Sequence, residues 1–445
     1  MLVHNIFTVI CALLAAVCAN CVPIVHRVGY GSIWIFVLLT LAVNLLPLAS
    51  YKGPRSFTLR MCSHGAVCLK AFFIALPVTA VVQTVFLHRY LPDDVWWALS
   101  TALVSVISLA VLFWNGIICV YLFSTQLGLE YRLKGVVLGL VPIANLIMLY
   151  RIIKTVCTEI EFEKEKLSVN SGRRGEKICS TLYPILFVHG VCFRDFAFPN
   201  YWGRIPHELE KNGARVFYGN HGSAASVCDS ALELAARIKY ITDDLGYGKV
   251  NIIAHSKGGL DCRYAIAEYG IGDRVASLIT VNSPHKGCAY ADYLLHKIPE
   301  KIQNKVARSY NSVLKRLGDD DPDFLAAMRD LTEKRVLEIT QGFGDEHGIN
   351  GICCISIGSK INSRSSAKMP MSLTHGFVKK HVGENDGLVG VDSFEWGDDY
   401  RFIKNDSLRG ISHADIIDMT RENIPGFDVR EFYVNLVSEL KEKGL

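Results

Sequence analysis

The stretch Lys249-Val250-Asn251-Ile252-Ile253-Ala254-His255-Ser256-Lys257-Gly258-Gly259 constrains the C-terminal part of the chain most tightly. Val250, Ile252 and Ile253 are β-branched and read as a short buried strand. Leu260 to Ala267 reads as a helix. A serine at the sharp turn between them, flanked by Ala254, Gly258 and Gly259, is the context of a nucleophile elbow, where strand and helix pass too close for larger side chains. The first small residue is alanine where the usual pattern has glycine. A chance small-x-Ser-x-Gly turn in an α/β domain has the same local appearance, so the surrounding chain has to discriminate.

Apolar residues are unevenly distributed. Residues 1–150 carry eight basic and three acidic side chains, about +5, which leaves about −1 for the remainder of a chain of net charge +4. No large basic face remains for nucleic acid. Four apolar runs, Ile6–Val25, Ser32–Ala49, Ala71–Leu87 and Val95–Phe123, are long enough or nearly so to cross a bilayer. The first lacks the basic start of a signal peptide and reads as a retained span. A fifth stretch, Gly135–Tyr150, is interrupted by Pro142 and reads as an interfacial or re-entrant helix. Lys52, Arg55, Arg60 and Lys70, with Arg132, Lys134, Arg151 and Lys154, place the richer segments and the C-terminal domain on the cytoplasmic side. No intramembrane charge pair suggests a transporter or channel, so anchoring is the expected role of this module. Of the fourteen cysteines several (Cys11, Cys18, Cys21 and Cys119) fall in apolar runs and none has zinc spacing, which fits mostly free buried thiols in a reducing compartment.

The expected domains are a transmembrane module over 1–155, a charged linker over 156–178 and a catalytic domain over 179–445. In the last, strand-like and helix-like segments alternate, as in a mainly parallel sheet covered by helices on both faces. Tyr183–Val188 is a buried strand that runs into His189-Gly190-Val191. A turn of this kind supplies one oxyanion donor and the residue after the nucleophile supplies the other, which gives the backbone N–H groups of Val191 and Lys257. A helical region over 289–336, with mixed apolar and charged faces, is either a lid or an ordinary solvated helix pair. A serine hydroxyl needs a base, and the base an orienting carboxylate, in the chain order Ser, Asp, His. Asp386, in Glu384-Asn385-Asp386-Gly387, and His413, in Ile411-Ser412-His413-Ala414-Asp415, satisfy that order with Ser256. His375 and His381 precede Asp386, and Asp392 and Asp398 lie beyond its turn. These remain alternatives on local grounds.

Phe187-Val188-His189-Gly190, Ala254-His255-Ser256-Lys257-Gly258-Gly259, Thr280-Val281-Asn282-Ser283-Pro284-His285-Lys286-Gly287, Asn385-Asp386-Gly387-Leu388-Val389 and Ser412-His413-Ala414-Asp415 resemble the blocks of bacterial triacylglycerol lipases, in family order. The resemblance implies an α/β-hydrolase fold after the all-α membrane module. It also implies Ser256 as nucleophile, His413 as base, Asp386 as its partner and a lid within 289–336. In secreted members a structural calcium joins an aspartate two residues after the histidine to another well before the triad aspartate. Asp415 matches the first, but no Asp or Glu lies between Ile355 and Gly383. The expectation is therefore no metal and no cofactor. The expected function is hydrolysis of lipid carboxylic esters, with a bilayer-embedded anchor. The same triad could serve a thioesterase or lipid transacylase, and an inactive membrane scaffold is the rival from outside enzymology. Oligomeric state has no sequence signal here.

Overall fold

The computed structural model describes residues 2–49, 51–53, 56–191, 200–222, 224–316, 318–319, 321–345, 347–363 and 371–445. Arg55, counted above among the loop charges, lies outside them. The chain divides into two compact units, Met1–Ser171 and Gly172–Leu445.

The first unit is helical. Tyr30–Leu48, Phe57–Tyr90 and Val95–Phe123 are each long and apolar enough to cross a membrane. The first apolar run is a helix to Ala19 and a second helix from Val22, bent by 65°. Pro23 stands in the first turn of the second helix, where its missing N–H costs nothing. The pair counts as a fourth span if taken together. Ser56 and Asp94 cap the two longest helices by accepting from the backbone N–H of Leu59 and Trp97. Those helices pack closely because Gly65 and Gly116 face each other: a Cβ on Gly65 would lie 2.8 Å from the Gly116 carbonyl oxygen. Small residues at such contacts are how helices associate where lipid removes the hydrophobic drive. The fifth stretch is split, with helices Gly128–Gly139 and Ala144–Arg173 on either side of Pro142.

The charged stretch placed in a linker over 156–178 is helical as far as Arg173. Glu161, Glu163, Lys164, Glu165 and Lys166 all have high helix propensity, and the preceding turns of the helix remove the nucleation cost.

The second unit is built on six parallel strands, β1 (Ile185–Val188), β2 (Val216–Tyr218), β3 (Val250–His255), β4 (Val275–Val281), β5 (Cys353–Ser359) and β6 (Asp399–Ile403), in the order β2-β1-β3-β4-β5-β6. Successive side chains of a strand point to opposite faces. Ile185, Phe187, Ile253, Ile279 and Ile357 therefore pack on one side, with Leu209 of the helix Ile205–Lys211, Trp202 of the turn before it, and Tyr433 and Val437 of the helix Val429–Glu442. Leu186, Val188, Ile252, Ala254 and Leu278 pack on the other, against Val227–Lys239 and Lys257–Tyr269. Between β4 and β5 the chain forms the helices Ala289–Lys297, Glu300–Arg316, Phe324–Asp330 and Glu333–Thr340.

The strand order reverses between β1 and β3. In open parallel sheets that switch point, at the carboxyl ends of the strands, is where ligands bind. β1 ends at Val188, just before His189, and β3 ends at His255, just before Ser256, so the two candidate turns meet there. Their approach depends on Gly258, whose added Cβ would lie 2.6 Å from the His189 carbonyl oxygen. Backbone cannot yield as a flexible side chain can. Gly258→Ala is expected to lower the unfolding free energy by about 1–3 kcal/mol, read from denaturant unfolding of the detergent-solubilised chain. An unchanged midpoint would contradict this account of the elbow.

Candidate active site

Ser256 adopts φ 56° and ψ −130°, a backbone region that disfavours residues with a Cβ. Such strain persists only where the surroundings impose it. Here the Ser256 N–H donates to the Val281 carbonyl at 3.0 Å, which keeps the elbow tied to β4. Lys257 opens the following helix, and a first-turn N–H has no carbonyl partner within its own helix. Facing the elbow is the turn after β1. A Cβ on Gly190 would lie 2.7 Å from the Ser256 Cβ, so this turn presses directly on the serine and Val191 follows it.

Asp386 is fully buried. Its Oδ1 accepts from the backbone N–H groups of Leu388 and Val389, both at 2.9 Å. Its Oδ2 accepts from Asn282 Nδ2 at 2.7 Å and meets His413 Nδ1 at 2.6 Å. The His413 backbone N–H also donates to the Asp386 carbonyl at 2.9 Å, which fixes main chain and ring together. The His413 ring packs on that of His255, the neighbour of Ser256, with centroids 4.4 Å apart. The fold thus brings the three candidate side chains to one end of the sheet. Among the described residues no hydrogen bond joins Ser256 Oγ to the His413 ring, a contact that often tightens only with substrate bound.

Residues 183–337 match the family model of the alpha/beta hydrolase fold. The chain is 32% identical over 177 residues to the triacylglycerol lipase of Pseudarthrobacter phenanthrenivorans, which covers 37% of this chain and 54% of that one. The figures for the triacylglycerol lipase of Burkholderia plantarii are 32% over 177 residues, 37% and 49%. Against these two the match spans about half of the relative's length. With the triacylglycerol lipase of Vibrio cholerae it is 30% identical over 256 residues, covering 52% of this chain and 81% of the relative. The chain belongs to the triacylglycerol lipase family.

The alternatives from local reading fall elsewhere. His375 is buried and bonds through Nδ1 to Asn385 Oδ1 at 2.9 Å, so it braces the turn that carries Asp386. His381 is exposed and bonds to the Phe377 carbonyl of its own helix. Asp392 and Asp398 are exposed. Three residues at the site had no role assigned from sequence: Asn282, Tyr201 and His255. Asn282 holds φ 46° at the end of β4 and bonds to Ser359 Oγ at 2.9 Å as well as to Asp386. Its place in Thr280–Gly287 was visible, but only the fold brings it to Asp386.

The calcium site of secreted family members does not fit these residues. Asp415 Oδ1 is paired with Arg409 at 2.8 Å, and its Oδ2 accepts from the Ser412 N–H at 3.1 Å. Among the described residues no group of three or more His, Cys, Asp or Glu could hold a metal.

The Lys257 side chain points away from the elbow into the protein. Its Nζ pairs with Asp261 Oδ1 at 2.7 Å and donates to Ser230 Oγ at 2.9 Å. Burial pushes the Asp261 carboxyl up to about 7, against the pull of Lys257. A carboxyl whose folded pKa exceeds its unfolded one binds more protons when folded, so its contribution to stability falls as pH rises between the two values. Lys257→Met removes the cation and leaves the backbone donor. It is expected to cost roughly 3 kcal/mol at pH 8, and less at pH 5, where Asp261 holds its proton. A cost independent of pH in urea unfolding would contradict the pairing.

Proposed function

We propose that the chain is a membrane-anchored serine hydrolase that cleaves carboxylic esters of lipids through Ser256, His413 and Asp386. The observation that carries this reading is the 2.6 Å contact between His413 Nδ1 and buried Asp386 Oδ2, beside a serine held at positive φ. As the His413 ring takes the Ser256 proton on Nε2, Ser256 Oγ bonds to the ester carbonyl carbon. Asp386 fixes the tautomer and stabilises the imidazolium without taking the proton itself. The Val191 and Lys257 N–H groups receive the oxyanion. Collapse breaks the carbon–oxygen bond of the leaving alcohol, which receives the proton from His413 and leaves an acyl-Ser256 ester. Water then gives His413 a proton and attacks the acyl carbon. The acid departs and Ser256 Oγ regains its proton.

The hydrolase domain is assigned to 179–445, with the helices between β4 and β5 as its lid region. The apolar helices of the first unit serve as a multi-pass anchor. The Lys and Arg bias of the loops supports a cytoplasmic hydrolase domain. A lipid ester drawn from the bilayer is the substrate class that suits both parts.

Hydrolysis of trioleoylglycerol in mixed micelles and of p-nitrophenyl esters tests the reading. Ser256→Ala and His413→Ala are each expected to lower kcat by a factor on the order of 10^4 or more, and Asp386→Asn by about 10^4. A wild-type rate in His413→Ala would overturn the assignment.

A further inference from the structure

Tyr201 and His255 are almost fully buried, yet the mechanism above gives neither a part. The Tyr201 hydroxyl lies 2.6 Å from His255 Nδ1 and accepts from the Gly190 N–H at 3.2 Å. One oxygen therefore touches two separate chain segments of the site. Gly190 is the residue before the Val191 donor and presses against Ser256. His255 is the last residue of β3, directly before Ser256, and its ring supports that of His413 at 4.4 Å. The turn after β1, the elbow and the base thus meet through a single phenol. Burial, and then the neighbouring His413, hold His255 well below the ordinary imidazole value. A ring that stays neutral does not compete with His413 for the serine proton and adds no repulsion when His413 becomes charged.

We propose that Tyr201 and His255 form a positioning pair that locks the Gly190–Val191 turn and the His413 ring to the elbow, so that oxyanion donor and base are aligned as one unit. The proposal rests on the hydrolase reading. Misplacing either partner by a fraction of an ångström affects the transition state more than the bound ester, so the effect belongs in kcat.

The test uses the full chain in detergent and steady-state ester hydrolysis. Tyr201→Phe keeps the ring, which packs edge-on against Trp202 and His189, and removes only the hydroxyl. It is expected to lower kcat about fivefold or more with KM within about twofold. His255→Phe should act similarly, and the double variant should lose no more than the worse single one, the sign of one coupled unit. His255→Asn, which keeps a hydrogen-bonding group for Tyr201, should retain more activity than His255→Leu. A smaller kcat loss in Tyr201→Phe, or losses that multiply in the double variant, would overturn the pairing. Should Tyr201→Phe fail to fold, the comparison of His255→Asn with His255→Leu decides: equal rates overturn it. Failure of the underlying reading is separately visible, because Ser256→Ala would then keep the wild-type rate.

Discussion

Asp386 is a fully buried carboxyl group, and the site is arranged around satisfying its two oxygens there. An unpaired charge in such a place costs several kcal/mol, whereas hydrogen bonds to a charged group each return about 1.5–3 kcal/mol. Two backbone donors of its own turn, one amide and the His413 ring surround it. Each partner brings a different element: the turn after β5, the end of β4 and the segment before the last helix. Removing the carboxyl group would loosen all three, so the same contacts that hold the His413 ring also close the carboxyl end of the sheet.

The sheet accounts for why such distant residues converge. Ser256 and Asn282 follow adjacent strands, and the Ser256 N–H remains bonded to β4. Reversal of strand order between β1 and β3 leaves a crevice on the remaining side, where the His189-Gly190-Val191 turn faces the serine. Small residues set the approach distance. A methyl group at Gly190 would meet Ser256, and one at Gly258 would meet the carbonyl of His189. The helical first unit uses the same device at Gly65 and Gly116, where the two longest apolar helices pack closely.

Much of this was legible in the sequence because it depends on local rules. A β-branched run ending in small-x-Ser-x-Gly specifies strand, turn and helix over a few residues, and β3 with the helix Lys257–Tyr269 follows it. The chain order of Ser256, Asp386 and His413 was equally visible, and the fold brings the latter two into contact. What was not legible depends on long-range placement or on competing propensities. Asn282 stands 104 residues from Asp386 in the chain, and no periodicity links them. Tyr201 acts through its hydroxyl on two segments that only the sheet brings together. The charges around Glu161–Lys166 resemble a linker, although the same residues are good helix formers and lie in the helix Ala144–Arg173. The break at Asn20-Cys21 was also unseen, since the apolar pattern continues through it.

The central claim is that Ser256 is the activated nucleophile of this chain. Mass spectrometry of the detergent-solubilised protein after treatment with a fluorophosphonate tests it most directly. The account predicts a single phosphonyl adduct, on Ser256 in the peptide that carries Ala254-His255-Ser256-Lys257-Gly258, and no adduct on protein unfolded before treatment. A folded protein that stays unmodified in mixed lipid micelles, or one modified at another serine, would contradict it.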